Sequence, residues 1–192
     1  MLDGTGQEAR RADVGIKGDR ITAVGDLAAV HAFPIDVTDA RAVSATVRRI
    51  ESELGLEVQV RRLESSTRTV KEAAVAVGCE EAAIAKSIVF VADGDPVVCV
   101  ASGRHRIDTH KLADALDVAE VRQAAADEVR AATGFAIGGV PPFGHDLPVL
   151  FDESLLEHER VWAAAGDPNS LFSIDPQELA SCVRARVVAI GE

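Results

Sequence analysis

From Ile84 to Ala92 the chain reads Ile-Ala-Lys-Ser-Ile-Val-Phe-Val-Ala, with no breaker before Asp93-Gly94-Asp95-Pro96. β-Branched and aromatic residues in such a run predict a buried strand. Strand side chains alternate, so Ile84, Lys86, Ile88 and Phe90 share one face and Ala85, Ser87, Val89 and Val91 the other. Lys86 therefore stands on an apolar face between two isoleucines. An unpaired buried ammonium costs several kcal/mol, so the amine must reach a carboxylate, the solvent or a bound anionic ligand. A lysine at a strand end snorkelling to water accounts for the same pattern.

The flanking pattern predicts further elements. Ser44 caps a helix to about Leu54, with Val47, Ile50 and Leu54 on one stripe and Gly55 as the stop. Glu57–Leu63 alternates as a strand, and Ser65–Arg68 is a polar connection. Thr69 and Glu72 form a capping box for a helix Val70–Val77 that ends at Gly78. Val97–Ala101 is a second apolar strand. Asp108 caps a helix through Ala115, Val118–Val121 is a short strand, and Ala124–Thr133 is a helix closed by Gly134. Strands are expected at Phe135–Ile137, Pro148–Phe151, Arg160–Ala165, Leu171–Ile174 and Val187–Ile190, with a helix opening at Asp175-Pro176. Helices and strands alternate without a strict βαβ repeat. The expected class is α+β (α/β): a mixed, partly antiparallel sheet, curled and surrounded by helices, with closure into a barrel as one variant.

Residues 1–43 read differently. Asp13–Ile16 and Arg20–Val24 are strand candidates joined by Lys17-Gly18-Asp19, and Ile35–Val37 is a further extended piece. The opening Leu2-Asp3-Gly4-Thr5-Gly6 and the run from Ala12 to Gly25 resemble the N-terminus of amidohydrolases of the D-aminoacylase and dihydroorotase type. The resemblance ends after about forty residues, and the His-x-His metal ligands that should follow Asp39-Ala40-Arg41 are missing. The segment is expected to be an appended, non-catalytic hairpin, with the main domain spanning 44–192.

The chain has 192 residues, 47% of them hydrophobic, enough for one well-buried domain plus an appendage. Its apolar runs are too short to span a bilayer, and no secretory signal pattern opens it. Cys79, Cys99 and Cys182 form no CxxC or zinc pattern, which fits free thiols in a reducing cytoplasm. A net charge of -11 argues against a broad basic face that coats DNA or RNA, though a pocket gripping only an RNA tip remains open. Only four lysines stand beside sixteen arginines, so a lysine in a buried strand is conspicuous.

Gly138-Gly139-Val140-Pro141-Pro142-Phe143-Gly144-His145 is the second unusual stretch. Glycine permits close backbone approach and proline fixes φ, so such a loop is able to aim successive N–H groups at one oxygen, as an oxyanion or carboxylate site requires. A tight sheet connection explains it equally in kind. Neither GxxxxGK[ST] nor GxGxxG occurs.

Together these stretches carry a second resemblance. Arg68–Ala74, Ile84–Phe90, Ala101-Ser102-Gly103, the Gly138–His145 loop and Ala164–Asn169 follow the order and spacing of the YbaK/prolyl-tRNA-synthetase-associated family over about 150 residues. That resemblance implies a cofactor-free aminoacyl-tRNA deacylase that hydrolyses the ester of mischarged tRNA, most readily tRNA(Pro) carrying Ala, Cys or another small amino acid. It implies Lys86, Gly138 and Gly139 as catalytic groups, with the Gly-x-x-x-Pro loop facing the lysine. Val140, Pro141 and Pro142 line the substrate site in this reading, with Ser102, His145 and Asp152 as further candidates. Asp152 reads as a partner for Lys86 or as a helix N-cap. Arg104, Arg106 and Lys111 form, with His105, one local basic cluster suited to the tRNA acceptor end or to plain solvation. His105, Asp108, His110 and Asp114 include metal-ligand types without a ligand spacing, so no metal is expected. Attack by an aligned water, by the substrate's own hydroxyl, or by a cysteinyl thiol all remain open. The implied setting is cytoplasmic, with prolyl-tRNA synthetase or the elongation machinery as protein partners and neither membrane nor DNA. The alternative is a non-catalytic module that binds an aminoacyl-tRNA end for a synthetase or regulatory complex.

Overall fold

The nine-residue strand Ile84–Ala92 (β4) is the trunk of the fold. The computed structural model describes residues 14–17, 20–24, 58, 60–63 and 69–191. The expected helix from Ser44 to Leu54, the piece at Ile35–Val37 and the connection at 65–68 lie outside the described residues. The chain divides into two units, Met1–Arg41 and Ala42–Glu192. In the first, Val14–Lys17 (β1) pairs antiparallel with Arg20–Val24 (β2).

The second unit is built on a mixed sheet. Its remaining elements in chain order are Val60–Arg62 (β3), Val70–Val77 (α1), Asp95–Ser102 (β5), Thr109–Leu116 (α2), Val121–Gln123 (β6) and Ala126–Thr133 (α3). Val149–Asp152 (β7), Val161–Ala164 (β8), Ser170–Ile174 (β9), Pro176–Cys182 (α4) and Arg186–Val188 (β10) follow. The strand order is β10-β7-β5-β4-β8-β9-β3, with β6 added to β4. β4 pairs antiparallel with β5 from Ala85↔Ser102 to Ala92↔Asp95, and the turn between them places Asp93 and Gly94 at positive φ, as a two-residue hairpin demands. β10/β7, β7/β5 and β4/β8 are parallel.

On its outer edge β4 changes partners. β8 covers Ile84 and Ala85, while β6 covers Phe90–Ala92. Residues 86–89 form the seam between them.

The alternation read from the sequence is observed. Ala85 and Val89 pack with Val98, Val100, Phe151, Phe172 and Leu179 in one core, whereas Phe90 packs with Cys99, Leu112, Leu150 and Ile190 in another. A smaller cluster joins α1 to Ile84 and Leu171. The capping box at the start of α1 forms as expected: Glu72 N donates to Thr69 Oγ1 at 3.2 Å and Thr69 N to Glu72 Oε2 at 3.1 Å, and Gly78 ends the helix in the left-handed conformation.

Two expectations need correction. Phe135–Ile137 is not a strand; after Gly134 the chain turns, Phe135 N donating to Thr133 Oγ1 and Gly139 N to Ala136 O, so its polar groups close locally. The strand expected at Val118–Val121 begins at Val121 instead. Ala119 N and Glu120 N are captured by the Asp93 carboxylate, which holds those residues outside the ladder. Among the described residues no helix is long and apolar enough to cross a membrane.

Candidate active site

Lys86 lies where β4 leaves β8, half-buried on the face it shares with Ile84 and Ile88. Its antiparallel partner on β5 is Ala101. Two residues past Ala101 the chain turns, and that turn returns its carbonyls to the lysine. Nζ donates to His105 O in a short bond and to Gly103 O at 3.5 Å. Burial pushes the Lys86 amine below its ordinary value, while the Asp152 carboxylate opposes that and Cys99 does so more weakly; Arg106 adds to the depression.

Asp152 ends β7 on the same face and is 1% exposed. Oδ2 accepts from Ser102 N at 3.1 Å and from His105 Nδ1 at 2.9 Å; Oδ1 accepts from Ser154 N at 3.1 Å and Ser154 Oγ at 2.9 Å. Burial raises its pKa, but the hydrogen bonds from His105, Ser102 and Ser154 outweigh burial and hold the carboxyl below its ordinary value. Of the two roles expected for Asp152, the cap is present, on the 3-10 turn Glu153–Glu157; toward Lys86 it acts only as a nearby negative charge, its oxygens being taken by Ser102, His105 and Ser154. An ionised carboxylate only accepts, so His105 Nδ1 carries the proton. Arg104 Nε, which only donates, approaches His105 Nε2 at 3.2 Å, so that nitrogen offers its lone pair.

Other expected site residues fall elsewhere. Ser102 is 0% exposed and its hydroxyl donates to Ala82 O at 2.9 Å, so it holds structure and does not present that hydroxyl to substrate. Lys111 donates to Gly191 O at 2.8 Å and ties α2 to the C-terminal segment. Asp108 caps α2 through the N–H groups of His110 and Lys111. Arg104 and Arg106 are exposed on either side of His105.

The glycine-proline loop is anchored by Val140 (3% exposed) and Phe143 (8%), which pack into the core of Ala85, Val89 and Phe172. Phe143 and Phe172 tilt at 46° with centroids 5.3 Å apart. Pro141 and Pro142 are buried, and His145 is half-buried at the loop's end. Gly138 has φ 85, and a Cβ on Gly139 would lie 2.7 Å from Asp167 Cα, so only glycine lets the loop lie this close to the β8–β9 connection. The expected arrangement, lysine and loop facing each other across one face, is therefore modified. Strand parity and the apolar anchors bring the loop against the Ala85/Val89 face of β4, while Lys86 projects from the opposite face. Ser87 Oγ, on the loop's face, is buried with no hydrogen-bond partner among the described residues.

His105 was read only as a member of the basic cluster, because its partner Asp152 lies 47 positions away, beyond any local pattern, and Ser154, two residues past Asp152, was not singled out. The only early sign was a histidine flanked by two arginines.

Comparison with known proteins gives the family. The model of the aminoacyl-tRNA editing domain matches residues 64–182. The chain is 37% identical over 137 residues to the uncharacterized protein YwhH of Bacillus subtilis, covering 70% of this chain and 87% of that one. It is 36% identical over 109 residues to the proline–tRNA ligase of Solidesulfovibrio magneticus, of which it spans only 19%. A solved structure described as a candidate trans-editing enzyme for prolyl tRNA synthetase superposes with a TM-score of 0.70 at 44% identity, covering 77% of this chain and 97% of that one. The chain belongs to the aminoacyl-tRNA editing domain family, and its enzymatic class is that of an aminoacyl-tRNA deacylase.

Proposed function

We propose that the protein acts in trans, hydrolysing the ester of tRNA(Pro) mischarged with alanine, cysteine or a similarly small amino acid. The observation that carries this reading is the half-buried Lys86 ammonium, held by the carbonyls of Gly103 and His105 and, among the described residues, in no direct ion pair. An ammonium has three donors, and the described residues take two of them, so the third can serve an ester carbonyl or a terminal phosphate. An aminoacyl ester is already activated, so positioning and charge stabilisation supply enough of the barrier reduction without a strong protein nucleophile. The substrate end meets the Lys86 ammonium where β4 passes from β8 to β6, and the Gly138–Pro142 loop shapes the neighbouring wall through its packing on Ala85 and Val89. Val140 and Pro141 limit side-chain size, where one methylene is worth about 1–3 kcal/mol. Arg104 and Arg106, exposed beside the Lys86 turn, meet the acceptor-end phosphates. Likeness to the freestanding neighbour supports action in trans, and likeness to the ligase supports tRNA(Pro).

The test is single-turnover deacylation of Ala-, Cys- and Pro-tRNA(Pro) by the wild type. Faster release of alanine or cysteine than of proline supports the assignment. Equal rates for all three, or no release from any, contradict it.

A further inference from the structure

We propose that the Ser102–Arg106 turn is a positioning cradle for the Lys86 amine, held by the His105–Asp152 pair and closed from outside by Gly191. The inference rests on the reading of Lys86 as the group that meets the substrate ester.

The turn leaves Lys86 little freedom because Ser102, Gly103 and His105 tie it to different elements. Gly103 N donates to Ile84 O at 2.7 Å, two residues before the lysine on β4, and His105 N donates to Ser102 O at 3.1 Å. A Cβ at Gly103 would collide with Glu81 O and the Val70 side chain, so the turn is pressed against α1 and the 3-10 turn after it. On the other side the His105 ring is bound to Asp152 at 2.9 Å. Its backbone carbonyl then accepts from Lys86. A histidine 19 positions away thus sets where the amine points, through its main chain.

Gly191 completes the enclosure. It forms a bridge with Ile107, and its carbonyl accepts from Lys111 Nζ at 2.8 Å, while Asp108 N donates to Ile190 O at 3.0 Å. A Cβ on Gly191 would overlap the His105 ring. The end of the chain therefore backs the ring against Asp152, and through it the carbonyl that holds Lys86. His105, Asp152 and Gly191 are positioning residues.

The experiment compares full-chain wild type, K86A, H105A, H105N, G191A and the double variants K86A/H105A and G191A/H105A. Asparagine places an amide N–H where Nδ1 donates and keeps the bond to Asp152; alanine does not. The expected result for H105A is a fall in kcat of about 10–100-fold with KM nearly unchanged, regained for the most part in H105N. H105A should add no loss in the K86A background, and G191A/H105A should be no worse than H105A alone. As a readout independent of turnover, the 15Nζ resonance of Lys86 should shift in H105A and return in H105N. K86A as fast as wild type would overturn the parent reading of the lysine. A crippled K86A beside an H105A of normal kcat, an H105A loss that persists without Lys86, or a 15Nζ signal indifferent to His105 would overturn the cradle alone.

Discussion

Asp152→Ala removes the one side chain that ties β5, β7 and the His105 turn together, and its cost follows from what each donor loses. Ser102 N belongs to a residue that is 0% exposed, so without the carboxylate it is left bare, at about 1–3 kcal/mol. His105 loses a bond to a charged acceptor, about 1.5–3 kcal/mol before water reaches its partly exposed ring. Ser154 N and Oγ sit on a partly buried turn and rehydrate, so the lost cap there costs about 1 kcal/mol. Together these reach about 3.5–7 kcal/mol, and rehydration of the partly exposed His105 ring brings the expected total to about 3–5 kcal/mol, the range for breaking a buried polar network. Asp152→Asn keeps the volume and one acceptor oxygen but turns an NH2 toward existing donors, and about 1–3 kcal/mol is expected. Urea unfolding at pH 7 measures both, with an unchanged m-value as the sign that only the folded state was altered.

The charge adds a pH signature. The folded pKa of Asp152 lies below its ordinary value of 3.8. Its contribution is therefore complete above 3.8 and is lost as pH falls through the lower folded value. The stability gap between wild type and Asp152→Asn should narrow over that acid window and hold steady above it. A loss under about 1 kcal/mol for the alanine variant, or a gap that does not change with pH, would refute the network argument.

Phe172→Ala should cost about 3–5 kcal/mol in urea unfolding, because the ring is 0% exposed and packs on Phe143. Since Phe143 anchors the glycine-proline loop, KM should rise too, and an unchanged KM would separate loop placement from the core. Gly139→Ala should slow deacylation at least about tenfold, since backbone stands 2.7 Å from the new Cβ; wild-type turnover would show that the loop backbone takes no part. Removing residues 1–42 should leave a chain with one cooperative urea transition and full deacylation. A broad, non-cooperative transition would place the hairpin in the core.

Local order was legible wherever a short-range cause wrote it into neighbouring residues. The Thr69/Glu72 capping box, the Gly78 stop, the Asp175-Pro176 helix start and the β4 alternation all depend on positions a few residues apart, and all appear in the structure. The mixed sheet was likewise readable from irregular succession of elements. What failed was long-range. Asp93 captures Ala119 and Glu120 from 26 and 27 positions away, which delays a strand that propensity alone begins earlier. Phe135–Ile137 has strand-like residues but no neighbour to pair with, because Gly134 and the Thr133 hydroxyl turn the chain first. At the site, Lys86 was visible as a charge among apolar neighbours, and the glycine-proline loop by composition. Their relation was not visible, since strand parity assigns a face to Lys86 but says nothing of which face a distant loop covers. The His105–Asp152 pair is likewise a product of the β5–β7 parallel register and leaves no trace in either local sequence.

The most direct test of the account is single-turnover deacylation of Ala-tRNA(Pro) by wild type and Lys86→Ala at matched folded concentration. The amine is predicted to stabilise developing charge, so the variant should lose about 100-fold or more in rate while its urea midpoint stays near that of the wild type. Hydrolysis at the wild-type rate by Lys86→Ala would contradict the central claim, whatever the rest of the fold does.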